Sequence, residues 1–219
     1  KNEGLSTPSQ RVEIPQQHRD FVRDLLQQHD IATDDMSDDR LQRPVRLGEN
    51  AKAEGAQRLL DVAFAHPIAL IANALGVPPR SMLQRGKQQG VAVAALVGSK
   101  QHAVKQVQAG VDILVVSGTE AGGHCGDVST LVLVPEVARA VRESGTPILA
   151  AGGIVTGEQM AACMAMGASG AWTGSVWLTT SEAETAPVVK QKMLAASSRD
   201  TVRSKSRTGK YSRQLRSAW

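Results

Sequence analysis

From residue 67 onward the chain alternates two kinds of segment: short unbroken apolar runs, and longer stretches whose apolar residues recur at helical spacing. PIALIANALG (67–76) is the first apolar run. PPRSMLQRGKQQG (78–90) then reads as a helix, with proline at its start and Gly90 past its end. VAVAALVGS (91–99) is a second strand and SKQHAVKQVQAG (99–110) its helix, capped by Ser99 and stopped by Gly110. VDILVVSG (111–118) is a third, followed by the helix LVPEVARAVRESG (133–145). TPILAAGGI (146–154) is a fourth, and TGEQMAACMAMGA (156–168) its helix, with Thr156 as cap and Gln159 in the capping-box position. SGAWTGSVWL (169–178) is the fifth. Continuous apolar strands alternating with helices mean a parallel sheet covered on its outer face.

The loops help to choose between an open and a closed parallel sheet. A doubly wound sheet would place GxGxxG after one strand, and that fingerprint is absent. Instead, functional-looking residues follow several consecutive strands: Asn73 and Gly76, Gly98 and Ser99, Gly118 to Gly126, Gly152 and Gly153, then Gly174 and Ser175. A barrel gathers all its strand ends around one mouth, so successive strands can serve one site. The expected class is therefore α/β, a (β/α)8 TIM barrel with about five C-terminal units present. A complete barrel has eight strands and about 250 residues, so roughly three strands are expected upstream of Lys1.

The first 66 residues read differently, as a helical and polar insertion leading into the barrel. QQHRDFVRDLLQQHDI (16–31) carries Phe21, Val22, Leu25 and Leu26 on one helical face, and AKAEGAQRLLDVAFAHP (51–67) reads as a second helix. The polar connector between them has no strand signal. Such excursions act as lids or as passive surface insertions, and the residues leave both readings open. Residues 67–180 form the barrel part and 181–219 a basic, partly helical extension.

Composition narrows the function classes. With 42% hydrophobic but only 3% aromatic residues, the core must be built from Ala, Val, Leu and Ile. No basic leader precedes an apolar stretch, and no apolar run is long enough to span a bilayer, so a soluble cytoplasmic protein without a membrane partner is expected. Cys125 and Cys163 sit on unrelated local patterns, which suits reduced thiols. The chain opens on Lys1 in a polar segment and reads as a fragment. Its net charge is +4, yet residues 199–219 alone carry +6, which leaves −2 for the rest. Cations confined to a tail, with only Tyr211 and Trp219 available for stacking, argue against a nucleic-acid partner.

Chemistry is suggested by two glycine corners and one loop. AAGGI (150–154), opening towards Thr156, and WTGSVW (172–177) follow consecutive strands, where a barrel holds a phosphate. Glycine lets backbone N–H groups approach phosphate oxygens, and a helix N-terminus adds its dipole, so Gly152, Gly153, Gly174 and Ser175 form the expected anion-binding set. SGTEAGGHCG (117–126) places His124 behind two glycines at the end of a buried strand. Imidazole there can take a proton from a carbon acid, hydrogen-bond an anion, or simply pin the loop. Glu120 reads as a loop-orienting acceptor and Cys125 as a packed thiol. His18, His29, His66 and His102 fall on helices or their ends. No cluster has metal-ligand spacing, so no metal is expected.

SGTEAGGHCG, AAGGI and GASGAWTGSVWL, in this order and spacing, resemble the nitronate monooxygenase family, formerly the 2-nitropropane dioxygenases. These are FMN-dependent barrels, and the flavin-dependent enoyl-acyl carrier protein reductases of bacteria share the signature. The resemblance covers Pro67 to about Trp219. It implies that Lys1 falls just after the family's third strand, that the strands lining the flavin from that side precede it, and that the family continues beyond Trp219. Trp172 stands where Gln is frequent and Ser175 where Thr is frequent, and neither change removes a backbone donor. By this resemblance His124 is the active-site histidine facing the flavin ring. Ser117, Gly122, Gly123, Gly152, Gly153, Gly174 and Ser175 then contact FMN, with Gly122 and Gly123 letting the loop approach the cofactor. The implied reaction is oxidation of a nitronate through FMN by O2 to a carbonyl compound and nitrite, with a homo-oligomer allowed. Reduction of an enoyl thioester by NAD(P)H on the same scaffold is the alternative, and an inactive partial barrel a further one.

Overall fold

A computed structural model describes residues 15–31 and 53–217. The chain divides into two compact units, Lys1–Ala63 and Phe64–Trp219. In the first, α1 (Gln16–Gln28) starts after Pro15, which caps it without a side-chain bond. It keeps Phe21 and Val22 exposed and buries no residue. The polar connector lies outside the described residues. Helix α2 (Ala53–Phe64) leads into the second unit.

The second unit is built on a five-stranded parallel sheet: β1 (Leu70–Asn73), β2 (Ala92–Val97), β3 (Ile113–Ser117), β5 (Ile148–Ala151) and β6 (Gly170–Trp172). The spatial order follows the chain order, β1-β2-β3-β5-β6. A doubly wound sheet reverses its strand order at a switch point, and this one does not; each strand lies beside its predecessor, as in a barrel wall. The strands are joined through α3 (Arg80–Gln89), α4 (Lys100–Gln108), α5 (Thr130–Ala140) and α6 (Gly157–Ala165). The fold is the TIM-barrel type expected from the alternation.

Strand alternation separates two apolar faces. Ala95, Val97, Leu114, Val116, Ile148 and Ala150 enter the core under the helices, where Leu133, Val134 and Val137 of α5 are fully buried. Ala94, Val115 and Ala151 face the other side, with Leu96, Leu149 and Trp172 packed around them. Burying a Leu or Val side chain stabilises by about 1.5–3 kcal/mol, so the helix-covered face dominates the stability of the unit.

Helix ends follow the local rules. Ser99 Oγ accepts the His102 N–H at 3.2 Å, and Gly90 closes α3 at φ 67°. Thr156 and Gln159 form a capping box at α6. Two elements differ from expectation. Helix α5 starts at Thr130 rather than Leu133, because a carboxylate from an earlier loop satisfies its first N–H. The fifth strand stops at Trp172, and Ser175–Thr179 curl into a 3-10 turn in which Trp177 is exposed and its Nε1 donates to Thr173 Oγ1 at 2.8 Å.

Residues 181–217 contain α7 (Pro187–Ala195) and then a β-hairpin, β7 (Thr201–Ser204) and β8 (Ser212–Leu215). The hairpin adds β4 (Gly123–His124) as a third strand, in the order β4-β8-β7. The strongly basic segment is thus tied to the loop that carries His124.

Candidate functional site

Parallel strands deliver their C-terminal ends to one side, and here three neighbours matter. Ser117 ends β3 opposite Ala151, the last residue of β5, which in turn faces Trp172 at the end of β6. The Gly118 N–H extends the ladder by donating to the Ala151 carbonyl at 3.0 Å. Beyond these ends lie the corner Gly152–Gly153, the corner Gly174–Ser175 and the loop 118–126. The outer two meet across the end of β5: a Cβ at Gly122 would collide with Ser175 Oγ. The structure therefore brings Ser117, Gly122, Gly152, Gly153, Gly174 and Ser175 to one end of the sheet.

Among the described residues, no acceptor takes the backbone N–H groups of Gly152, Gly153, Gly174 or Ser175. Four donors without a protein acceptor thus stand at the ends of two adjacent strands, a donor set of the kind that can hold an anion. Gln159 helps to shape it. Its Nε2 donates to the Gly153 carbonyl at 2.9 Å, while its Oε1 accepts the N–H groups of Val155 at 2.7 Å and Thr156 at 3.0 Å. With that carbonyl tied back to α6, the corner keeps its N–H groups available, and the N-terminus of α6, where the helix dipole is positive, follows at Gly157, four residues along the chain from Gly153.

Glu120 fastens the loop to this corner. Its Oε2 accepts the Thr130 N–H at 2.9 Å and the Thr130 hydroxyl at 2.7 Å. Burial works against its charge, but the two Thr130 bonds, its own backbone and the Arg213 guanidinium together hold its pKa below the ordinary value. It is a loop-orienting acceptor and the distant cap of α5.

His124 is held from the other side. It pairs with Ser212, and Gly123 with Arg213, in the β4–β8 ladder. His124 Nε2 lies 2.7 Å from Thr208 Oγ1 in the hairpin turn, and the Cys125 N–H donates to the Tyr211 carbonyl at 3.1 Å. Arg203 donates to the Gly126 carbonyl at 2.9 Å, pairs with Asp127, and stacks on Tyr211 with 3.6 Å from guanidinium carbon to ring centroid. Arg213 Nε donates to the Thr119 carbonyl at 3.1 Å. Of these residues the sequence marks only Tyr211, as a ring available for stacking; Thr208, Arg203 and Arg213 carry no local signal of their own. The usable signal was a polar turn around Gly209, φ 74°, between two short alternating segments.

A cleft of about 630 Å³ opens at the opposite end of the sheet, around Arg139, Arg142, Thr146 and Met166. It holds none of the residues above.

The chain as a whole is similar to known proteins. The family model described as "Nitronate monooxygenase" matches residues 21–219. The chain is 55% identical over 216 residues to "Putative monooxygenase Rv1533" of Mycobacterium tuberculosis, covering 99% of this chain and 56% of that protein. It is 34% identical, over 79% of this chain and 48% of the other, to a Rhodococcus jostii protein named (3aS,4S,5R,7aS)-5-hydroxy-7a-methyl-1-oxo-octahydro-1H-indene-4-carboxyl-CoA dehydrogenase. Among solved structures, FabK from Thermotoga maritima superposes with a TM-score of 0.68 at 35% identity, covering 74% of this chain and 51% of that one. The chain spans about half the length of the curated relatives it matches.

Proposed function

This chain belongs to the nitronate monooxygenase family, and from that premise we propose that it is part of a flavin-dependent oxidoreductase that binds FMN and oxidises nitronates. The observation that carries the reading is the set of unpaired N–H groups on Gly152, Gly153, Gly174 and Ser175. A phosphate monoester presents three acceptor oxygens and close to two negative charges, which suits such a cradle beside the α6 N-terminus. Bound FMN would supply the redox chemistry, taking electrons from the substrate and delivering them to O2.

The chain's own residues supply binding, orientation and proton handling. Gly122 and Gly123 keep the face of the loop clear of side chains beside the cradle, and Ser117 ends the neighbouring strand. His124 serves as hydrogen-bond donor to an anionic nitronate, or as acceptor of the carbon-bound proton when the substrate is a neutral nitroalkane. The products are a carbonyl compound and nitrite. No helix among the described residues is long and apolar enough to cross a membrane; a cytoplasmic setting, with a small-molecule substrate and O2 as partners, belongs to this reading. A homo-oligomer is compatible with this reading.

A second reading, chemistry on an acyl thioester with a nicotinamide, is favoured by the relative whose name ends in carboxyl-CoA dehydrogenase. The full-length protein decides between them: nitronate-dependent O2 uptake supports the first, and enoyl-thioester-dependent oxidation of NAD(P)H the second. Neither activity, with no flavin bound, returns the reading to an inactive partial barrel.

The role of His124 is tested by His124→Asn. Activity on neutral nitroalkane is expected to fall by ~10²–10⁴, as for removal of a general base, with FMN retained. Activity on preformed nitronate falls much less, because its proton is already gone. Equal losses on both substrates would remove His124 as the base.

A further inference from the structure

The basic C-terminal segment is the largest feature that the proposed reaction does not use. Its cations would suit a solvated tail, yet two of them are spent inside the molecule. Arg203 reaches Gly126 and Asp127 across 77 and 76 residues of chain, and Arg213 reaches Thr119 across 94. Ser212, between them, is only 2% exposed. Every hairpin contact on the loop falls between Thr119 and Asp127, the stretch that carries Gly122, Gly123 and His124. A hairpin recruited only for stability would be expected to pack on the main core, and this one grips one loop at both ends and in its middle.

We propose that the hairpin Thr201–Leu215 is part of the active site as a positioning element: Arg203 and Arg213 fix the course of the His124 loop, and Thr208 fixes the orientation of the His124 ring. The inference rests on the assignment of His124 above. Thr208 Oγ1 lies 2.7 Å from Nε2, and among the described residues no protein group bonds Nδ1. A hydroxyl can donate or accept, so the pair allows two states. When Nε2–H donates to Thr208, Nδ1 is left bare and can take a proton. When the hydroxyl donates to Nε2, Nδ1 carries the hydrogen and can only give one. A base at this site requires the first state, in which Thr208 accepts from Nε2–H and Nδ1 is the atom left to take the proton; in either state the bond holds the ring in one orientation.

Among the described residues Thr208 makes no other hydrogen bond, so Thr208→Val removes the ring's partner at nearly constant shape. The test uses the full-length, flavin-loaded protein with ¹⁵N-labelled histidine, and His124→Asn identifies the signal. The parent is expected to show mainly the Nε2–H tautomer. In Thr208→Val the Nε2-bound hydrogen should exchange with water at least about threefold faster, the lower range for loss of one neutral hydrogen bond, and Thr208→Ser should restore the slower rate. In Arg213→Gln, exchange of the Ala121–Cys125 amides with deuterium should rise about tenfold, as expected on loss of one charge-assisted bond. Lys210→Gln, which removes a turn cation that bonds neither the loop nor His124, should change neither. A parent ring in the Nδ1–H form, or a Thr208→Val exchange rate equal to the parent's, would overturn the role of Thr208. Unchanged exchange in Arg213→Gln would overturn the role of the hairpin. These readouts do not depend on the substrate: if the parent turns over no nitronate, the proposed reaction fails while the positioning result stands. If it does turn over nitroalkane, Thr208→Val should lower kcat on the neutral substrate more than on preformed nitronate.

Discussion

The two glycine corners look alike in sequence and are built for different reasons. After β5, Gly152 and Gly153 both have positive φ, 109° and 70°. The space beside them is filled: a Cβ on Gly152 would lie 2.9 Å from Thr130 Oγ1, and one on Gly153 3.0 Å from Glu120 Cβ. After β6, Gly174 has φ −127° and open space where a side chain would go. Glycine is required in the first corner by backbone and packing before any ligand is considered. In the second, neither the sign of φ nor a neighbouring atom requires it. A Gly-Gly pair after a barrel strand is therefore weaker evidence for a phosphate than the lone glycine beside it.

The largest effect should come from testing the packed corner. Gly152→Ala combines left-handed strain with overpacking against Thr130, so it should lose about 3 kcal/mol or more of stability in denaturant unfolding. Gly174→Ala should stay within about 0.5 kcal/mol of the parent. Similar losses in the two variants would break the distinction.

The next effect separates ligand from packing at the open corner. Gly174→Asp should weaken FMN binding at least about 100-fold, because a carboxylate about 4 Å from a phosphate charge costs several kcal/mol at an effective dielectric near 20. Its apo melting temperature should match the parent's. Gly153→Asp is a poorer probe, since it disturbs Glu120 as well. Flavin titration beside apo melting curves distinguishes them, and retained FMN in Gly174→Asp would remove the phosphate from this corner.

Glu120 sharpens the first corner with a pH dependence. Its folded pKa is lowered, so its contribution is complete above about pH 4.5 and is lost as pH falls through the lower folded value. Glu120→Gln should cost about 1–2 kcal/mol near neutrality, from the loss of charge-assisted bonds to Thr130. The cost should shrink as the parent is acidified below that range. A constant difference from pH 7 to pH 3 would mean that the charge plays no part.

The smallest effect is a control. Gly110, φ 86° with open space around it, needs glycine for its backbone alone. Gly110→Ala should cost about 1 kcal/mol with no change in flavin content.

What was legible along the chain was whatever nearest neighbours decide. The alternation of apolar runs and helical segments gave the parallel units. Ser99 and the Thr156–Gln159 box are caps whose partners sit three residues away, and both formed as expected. The start of α5 was missed because its cap, Glu120, comes from a loop ten residues upstream rather than from Ser129, which caps with no side-chain bond. Trp177 and Leu178 read as strand because they are apolar, yet both are exposed in the 3-10 turn.

The hairpin shows the same limit more sharply. Composition revealed an excess of +6 over residues 199–219 and nothing about where it points. Charge is a sum over residues, whereas the use of Arg203 and Arg213 depends on carbonyls brought near them by the fold, and no local pattern encodes that.

The sequence by itself determined the class of fold, the order of its units and the residue types at the strand ends. Period-two and period-3.6 burial and short-range capping act over a few residues, and the alphabet records them directly. Only the tertiary structure decided which glycine is packed and which is open, which carboxylate caps α5, and which hydroxyl meets His124. Each of those rests on two groups far apart in the chain meeting at contact distance, and such a meeting exists only once the sheet has set the positions of its loops.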